Sequence, residues 1–427
     1  MATRLKVLLS AYACEPGRGS EPEVGWQWAI HLARLHDVTV VTRANNRAVI
    51  EAALATLPQP HPKFLYYDLP AWMIAAKKRG FPVTLYYLLW QRGVIKFVAP
   101  LLREFDLIHH VTFNSFRQPG SWRVCGKPIV LGPLGGGQIC PWRLMGDFGL
   151  AMPGEFFRSI TVKLNALNPL ARRSFRDATL ILCANEDTAS RVPKPFQSKV
   201  CSMLETGMPP VETKSIAKSD TPAAPRLIWV SRFVAIKGAP LALRAFALAL
   251  KQRPDLRLTM VGDGPDTTKV RRLAARLGLH ANNIEWTGKV PLAEVKTLLP
   301  KHDIFLFTSL RDTSGNVLLE AMAAGLPAVT LRHHGAAMIA TDETAIRVAP
   351  TSADETTSRF ANAIVRLAND AGLRLQMGEA ALRRINEHYT WPRKAEAMSG
   401  LYVEAAAKTS NIQHPTPNIQ FGDSERP

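Results

Sequence analysis

At 427 residues the chain exceeds the size at which one hydrophobic core usually stops growing, so two domains are expected. Its 47% hydrophobic and 21% charged content excludes a disordered chain, and five scattered cysteines exclude a disulfide scaffold and fit a reducing compartment. The net charge of +18 is concentrated early: residues 1–200 carry 25 basic and 13 acidic side chains, which suits an anionic membrane surface or a diphosphate, whereas the absence of zinc-finger spacing and of an arginine-rich aromatic module argues against nucleic acid as a partner.

The first ten residues run directly into a strand-like segment, without the charged flank, apolar core and cleavage site of a secretory signal. The apolar run 6–11, a helical pattern over 24–35 and the run VTVVT at 38–42 open a parallel α/β unit, because parallel strands need a helical crossover. Further strands are expected at 65–67, 107–109, 129–131 and 179–183, with helices and loops over 70–102. The most hydrophobic stretch, 83–102, is interrupted by Gln91, Arg92 and Lys96, which argues against a spanning helix. A proline-containing polar stretch at 204–225 reads as a linker or surface excursion. A second α/β series follows, with strands at 227–231, 258–261, 284–287, 304–307 and 328–331 and helices including 239–251 and 269–277. The expected division is therefore a first domain at 1–203, the linker, a second domain at 226–388, a helix at 389–408 and a polar, flexible tail at 409–427.

Several strand ends carry chemistry. Arg232 and Lys237 follow the first strand of the second domain, at the carboxyl edge where open α/β sheets bind ligands, and two cations there suit a diphosphate. Gly262 and Gly288 follow the next two strands in turns that either admit a ligand or simply reverse the chain. The stretch Thr308 to Pro327 combines a strand end, a small-residue loop and an apolar helix opening near Gly315, whose free amides form an anion site. Glu320 lies about 1.5 turns into that helix among apolar neighbours, and it needs either a ribose diol or an ordinary structural partner.

In the first domain the loop 12–26 contains Gly17, Arg18 and Gly19; the strand end at 109–110 holds His109 and His110, of which alternation lets only one face the cleft directly; and 132–138 contains three consecutive glycines including Gly136. The region 82–103 joins Tyr86, Tyr87 and Trp90 to Arg92, Lys96 and Arg103, with Lys77, Lys78 and Arg79 upstream; this reads either as a membrane-facing helix or as a packed internal one. The GxGxxG order of a nicotinamide enzyme is absent.

Asp312 and Glu320, separated by seven residues and followed by Ala321-Met322-Ala323-Ala324-Gly325-Leu326-Pro327, resemble the donor motif of family 4 of the retaining glycosyltransferases. The resemblance implies the GT-B fold, two Rossmann-like α/β domains facing across a deep cleft. It implies that Glu320 holds the ribose, that Asp312 lies by the transferred sugar, and that the Gly315 and Asn316 amides meet the phosphates with Arg232 and Lys237. Gly262, Gly288 and Val290 would border the nucleotide, and Gly19 its phosphates. His110 is the favoured sugar contact, while Gly17, Arg18, His109 and Gly136 fall on the acceptor side. The long loop beginning Ala13-Cys14-Glu15-Pro16 is similar to that of enzymes building bacterial surface polysaccharides.

The implied activity is transfer, without metal or other cofactor, from a nucleoside-diphosphate sugar to a saccharide or polyprenyl-diphosphate-linked saccharide, in the cytoplasm and peripherally on the inner membrane. Asp312 departs from the usual glutamate, and Thr313-Ser314-Gly315-Asn316 from the usual small-aromatic-small run. A catalytically idle nucleotide-sugar-binding scaffold, an inverting transferase and a sugar-nucleotide epimerase are the alternatives.

Overall fold

The computed structural model of the protein describes residues 4–113, 115–120, 122, 126–212 and 224–410. Cys125, the middle of the 204–225 stretch and the tail beyond 410 lie outside the described residues. The first sheet contains seven strands: β1 (Lys6–Ser10), β2 (Asp37–Thr42), β3 (Lys63–Tyr66), β4 (Leu107–His110), β5 (Ile129–Leu134), β6 (Leu180–Cys183) and β7 (Val200–Ser202). They pair in parallel in the order β3-β2-β1-β4-β5-β6-β7. The second sheet contains β8 (Arg226–Val230), β9 (Arg257–Val261), β10 (Ile284–Gly288), β11 (Ile304–Phe307), β12 (Ala328–Leu331) and β13 (Ala345–Val348), in the parallel order β10-β9-β8-β11-β12-β13.

Both orders reverse direction beside their first strand, as in doubly wound sheets, and the crevice at that switch point is the usual ligand site. Helices cover both faces, so the central strands are apolar along their length: Val7, Leu8 and Leu9 are fully buried, as are Ile304 and Phe305. The edge strands β7 and β13 were not anticipated. Val200–Ser202 is too short to show periodicity, and Ala345–Val348 interrupts its apolar run with Arg347.

The two cores are tied by segments that cross between them. Cys140, Leu144, Met145 and Phe148, which follow β5 in the chain, pack into the apolar cluster under the second sheet. In return the last helix, Trp391–Ser410, lays Trp391, Ala395, Met398 and Tyr402 into the cluster under the first sheet, at the four- and three-residue spacing of a helix face. Trp391 meets Trp28 edge-on at 5.5 Å, and Ser399 bonds His36 at 2.9 Å.

The helix Val83–Val98 takes the packed one of the two readings open for its stretch. Tyr86, Tyr87 and Trp90 are buried in a cluster with Tyr12 and Ile108, so these aromatics serve the core and are not available to a membrane. Among the described residues no helix is long and apolar enough to cross a membrane.

Candidate active site

The carboxyl ends of both sheets converge on a cavity of about 790 Å³ between the domains. Its first-domain wall comes from the segments after β1, β4 and β5, including Glu21, Phe113 and Gly136; its second-domain wall comes from those after β8 and β11, including Arg232, Lys237 and Asp312. These are the switch points of the two sheets, so strand order alone brings the two walls opposite one another.

The second-domain wall is built by two stitched turns. After β8 a short 3-10 turn, Ala235–Lys237, ends at Gly238 in the left-handed region with φ 67°. A side chain at Gly238 would place its Cβ 2.1 Å from the Thr308 carbonyl oxygen, so glycine is required both by conformation and by space. Leu310 N–H donates to the Ile236 carbonyl at 2.8 Å, and Thr308 Oγ1 accepts from Trp229 Nε1 at 2.9 Å. Lys237 thereby reaches Asp312 in a 2.5 Å ion pair at the cavity edge. Gly315, with φ 74° and the Phe307 ring against its Cα, opens the helix Asn316–Ala323; Asn316, Val317 and Glu320 from its first turns line the cavity. Free amides at this end carry partial positive charge toward the space that Arg232 and Lys237 also border. Leu318, Leu319 and Met322 bury the opposite side, and burial pushes the Glu320 carboxyl up to about 7, with Lys296 opposing.

Of the residues singled out in the sequence, the structure brings Asp312, Arg232, Lys237, Glu320, Asn316 and Gly136 to the cavity wall, with Gly315 directly behind the helix it opens. Others lie elsewhere. Gly17 and Gly19 sit in an open left-handed turn, and Arg18 is exposed and paired with Glu15 at 2.5 Å; the next residues, Ser20 and Glu21, are the ones that reach the cavity. Gly262 packs against the Ser231 carbonyl, where a Cβ would stand 1.9 Å from the oxygen, so it closes the turn instead of facing the site. Gly288 borders open space and Val290 packs on the second-domain core, while Leu292 and Val295 from the following helix supply the apolar part of the wall.

The two histidines require a correction. Both are fully buried and neither lines the cavity. His109 Nδ1 bonds the Tyr402 hydroxyl at 2.6 Å and Nε2 the Gly132 carbonyl at 2.7 Å; His110 bonds the Tyr87 hydroxyl at 2.6 Å and Ser10 Oγ at 3.0 Å. Burial lowers them to about 4 and about 3, so both are neutral imidazoles serving as core hydrogen-bonding groups. Alternation failed as a guide because both faces of the sheet are covered, one by the helix ending the chain and the other by Val83–Val98. The residues from that strand end that do reach the cavity are Val111 and Phe113.

Two carboxylates carried no sequence signal. Glu21, in the first turn of the helix Ser20–Ala33, accepts a hydrogen bond from Phe113 N–H, and its carboxyl is raised by burial. Glu205 lies across the cavity near Ser314; burial raises it, and its Oε2 has no hydrogen-bond partner in the protein. Thr313 sits at the meeting point of the domains: its Oγ1 accepts from Gln138 Nε2 at 2.7 Å and its carbonyl from Asn185 Nδ2 at 2.9 Å. Beside it Arg311 pairs with Glu155 at 3.0 Å, and Asp187 accepts from His334 N–H at 3.1 Å. These contacts join the two walls of the cavity. Among the described residues no cluster of three His, Cys, Asp or Glu side chains is arranged to hold a metal ion.

Residues 224–370 match the family model described as glycosyl transferases group 1, about the span of the second sheet and its wall of the cavity. Over 241 residues the chain is 29% identical to the lipopolysaccharide core biosynthesis glycosyltransferase LpsE of Rhizobium meliloti, covering 55% of this chain and 65% of that one. It thus spans less than two thirds of that relative's length. Among solved structures, HepE of Anabaena in complex with UDP superposes with a TM-score of 0.61 at 17% identity, over 94% of this chain and 100% of that one. Sucrose-phosphate synthase of Thermosynechococcus elongatus gives 0.62 at 18%, over 95% and 100%. At those identities the likeness concerns the backbone: two Rossmann-like domains across a cleft, the GT-B architecture, are the fold of this chain.

Proposed function

We propose that the protein is a retaining glycosyltransferase that takes a sugar from a nucleoside diphosphate and places it on a saccharide or lipid-linked saccharide, on the cytoplasmic side of the membrane, in polysaccharide assembly. The observation that carries this reading is the second-domain wall, where a helix amino terminus, Arg232, Lys237 and the half-buried Glu320 line one side of an interdomain cavity. A diphosphate fits the amides and cations, and a ribose diol offers the Glu320 carboxylate the two donors its surroundings lack. Leu292 and Val295 offer an apolar seat for the base. HepE carries UDP and LpsE serves lipopolysaccharide core synthesis, so uridine diphosphate sugars are the first donors to test.

In this reading the acceptor oxygen attacks the anomeric carbon on the face from which the phosphate leaves. The C1–O bond to phosphate breaks as the new glycosidic bond forms, and the acceptor proton passes to the departing phosphate oxygen. No protein nucleophile is required. Lys237 and Arg232 stabilise the charge growing on the diphosphate, Asp312 orients Lys237, and Glu205 Oε2 accepts a hydrogen bond from a sugar hydroxyl. The contacts around Thr313 join the two walls on either side of the reacting carbon, an arrangement that serves to limit the access of water to it.

The test is incubation with a panel of nucleotide sugars and of soluble and lipid-linked acceptors, followed by mass and anomeric analysis. A product with the donor's configuration is expected. Inverted product overturns the retaining step, conversion of the donor without acceptor points to an epimerase, and tight donor binding without turnover points to a binding protein.

A further inference from the structure

Nine of the seventeen large apolar side chains exposed among the described residues fall within residues 142–170. They belong to one structural feature. In the helix Met152–Leu164, the exposed Met152, Phe156, Phe157, Ile160 and Leu164 cover an arc of about 140° at 3.6 residues per turn, while the buried Glu155 and Val162 lie on roughly the opposite side. Trp142 is 76% exposed and Leu150 wholly so, extending the apolar surface ahead of the helix. A contiguous apolar face of this kind is uncommon on a soluble surface and marks an interaction site.

We propose that this face docks the protein on an anionic lipid leaflet. The charges beside the apolar arc decide between lipid and a second copy of the chain. Arg143, Lys163 and Arg172 are exposed around it. The carboxylates of the same stretch are all engaged: Asp147 with Arg244 at 2.5 Å, Glu155 with Arg311 at 3.0 Å and Asp177 with Arg176 at 3.7 Å. An apolar face rimmed by cations suits acyl chains beneath anionic headgroups, whereas two copies meeting face to face would oppose their cationic rims.

The docking helix is also joined to the site. Arg158 on its polar side donates through both terminal nitrogens to the Gln138 carbonyl at 2.9 Å, and Gln138 bonds Thr313. Glu155 pairs with Arg311, next to Asp312. A leaflet held against this helix therefore lies on the element that fastens the two walls of the cavity together. That the acceptor reaches the cavity from this leaflet rests on the transferase reading; the docking does not.

The full chain is sedimented with vesicles of phosphatidylcholine alone and of phosphatidylcholine mixed with phosphatidylglycerol, with no donor or acceptor present. Binding to the mixed vesicles is expected. It should weaken by about tenfold or more in F156S/F157S and in R143E/K163E, and remain unchanged in Trp72→Ser, which alters an exposed tryptophan of another helix. Melting temperatures and nucleotide-sugar affinity report whether each variant is folded, and R143E/K163E changes only exposed charges. No binding by the parent chain, or unaltered binding by R143E/K163E and a folded F156S/F157S, overturns the proposal. So does a dimer in light scattering that F156S/F157S dissociates while the parent ignores vesicles. Vesicle binding without sugar transfer would sink the transferase reading alone.

Discussion

Glu320 offers a measurable separation between a carboxylate placed for a ligand and one that merely supports the fold. Its carboxyl moves from an ordinary 4.5 to about 7 because burial disfavours the charged form, with Lys296 as the opposing influence. That displacement corresponds to about 3 kcal/mol. The folded chain holds this proton more tightly than the unfolded one, so the sign is a penalty. It is absent below about 4.5, grows as pH rises and is complete above about 7. Glu320→Gln removes the charge while keeping the shape. The empty Gln variant should therefore melt close to the parent at pH 4.5 and about 6–12 °C above it at pH 8, given about 2–4 °C per kcal/mol for a domain of this size.

Donor affinity should move the other way. Losing hydrogen bonds to a charged acceptor costs about 1.5–3 kcal/mol, which raises Kd by about 10- to 100-fold at pH 8. Because only the ionised carboxyl accepts from both ribose hydroxyls, parent affinity should weaken as pH falls below about 7 and level off one to two pH units lower, after a total loss of about 10- to 100-fold, a dependence absent in the Gln variant. Calorimetric melting and titration with a nucleotide sugar at the two pH values check both halves. A stability difference that does not change with pH, or a Gln variant that binds donor as well as the parent, refutes the reasoning.

Other outcomes follow from neighbouring geometry. Lys237→Ala breaks the 2.5 Å pair with Asp312 and should lower kcat/KM by about 10²- to 10³-fold in steady-state transfer assays, far more than it lowers thermal stability. Gly135→Ala would set a Cβ 2.6 Å from Thr313 Cγ2; at about 1–3 kcal/mol of overpacking it should open the cleft, seen as a larger radius in solution scattering and a lower kcat. Tyr402→Phe leaves His109 Nδ1 without its 2.6 Å partner and should cost about 1–3 kcal/mol in denaturant unfolding while donor Kd stays unchanged. His110, lowered to about 3 and buried, should contribute no inflection to the pH profile of transfer between pH 5 and 8, so a conservative His110→Gln variant that folds should keep the profile's shape.

Most strands were legible because parallel strands covered on both faces must be apolar along their length. Runs such as the one at Ile304–Phe307 announce themselves for that reason, whereas β7 and β13 are short or broken by polar residues. The second-domain wall was legible for a related reason: Lys237, Asp312, Gly315 and Glu320 lie in two local turns whose backbone demands can be read nearby in sequence. The apolar stripe of Met152–Leu164 was not, since an amphipathic helix reads the same whether its apolar face meets a core or an open surface.

The chain's own order of residues determined two doubly wound sheets and the half of the cavity lined by Arg232, Lys237 and a helix amino terminus, because apolar runs and glycine-dependent turns are local properties. Only tertiary packing decided the other half. Tyr402 covers His109 from the far end of the chain and Tyr87 covers His110 from the opposite face, while Glu21 and Glu205 meet across a space that separations of this length leave undefined. Which polar side chain faces solvent, ligand or core depends on what the fold lays over it, and sequence spacing carries no information about that cover.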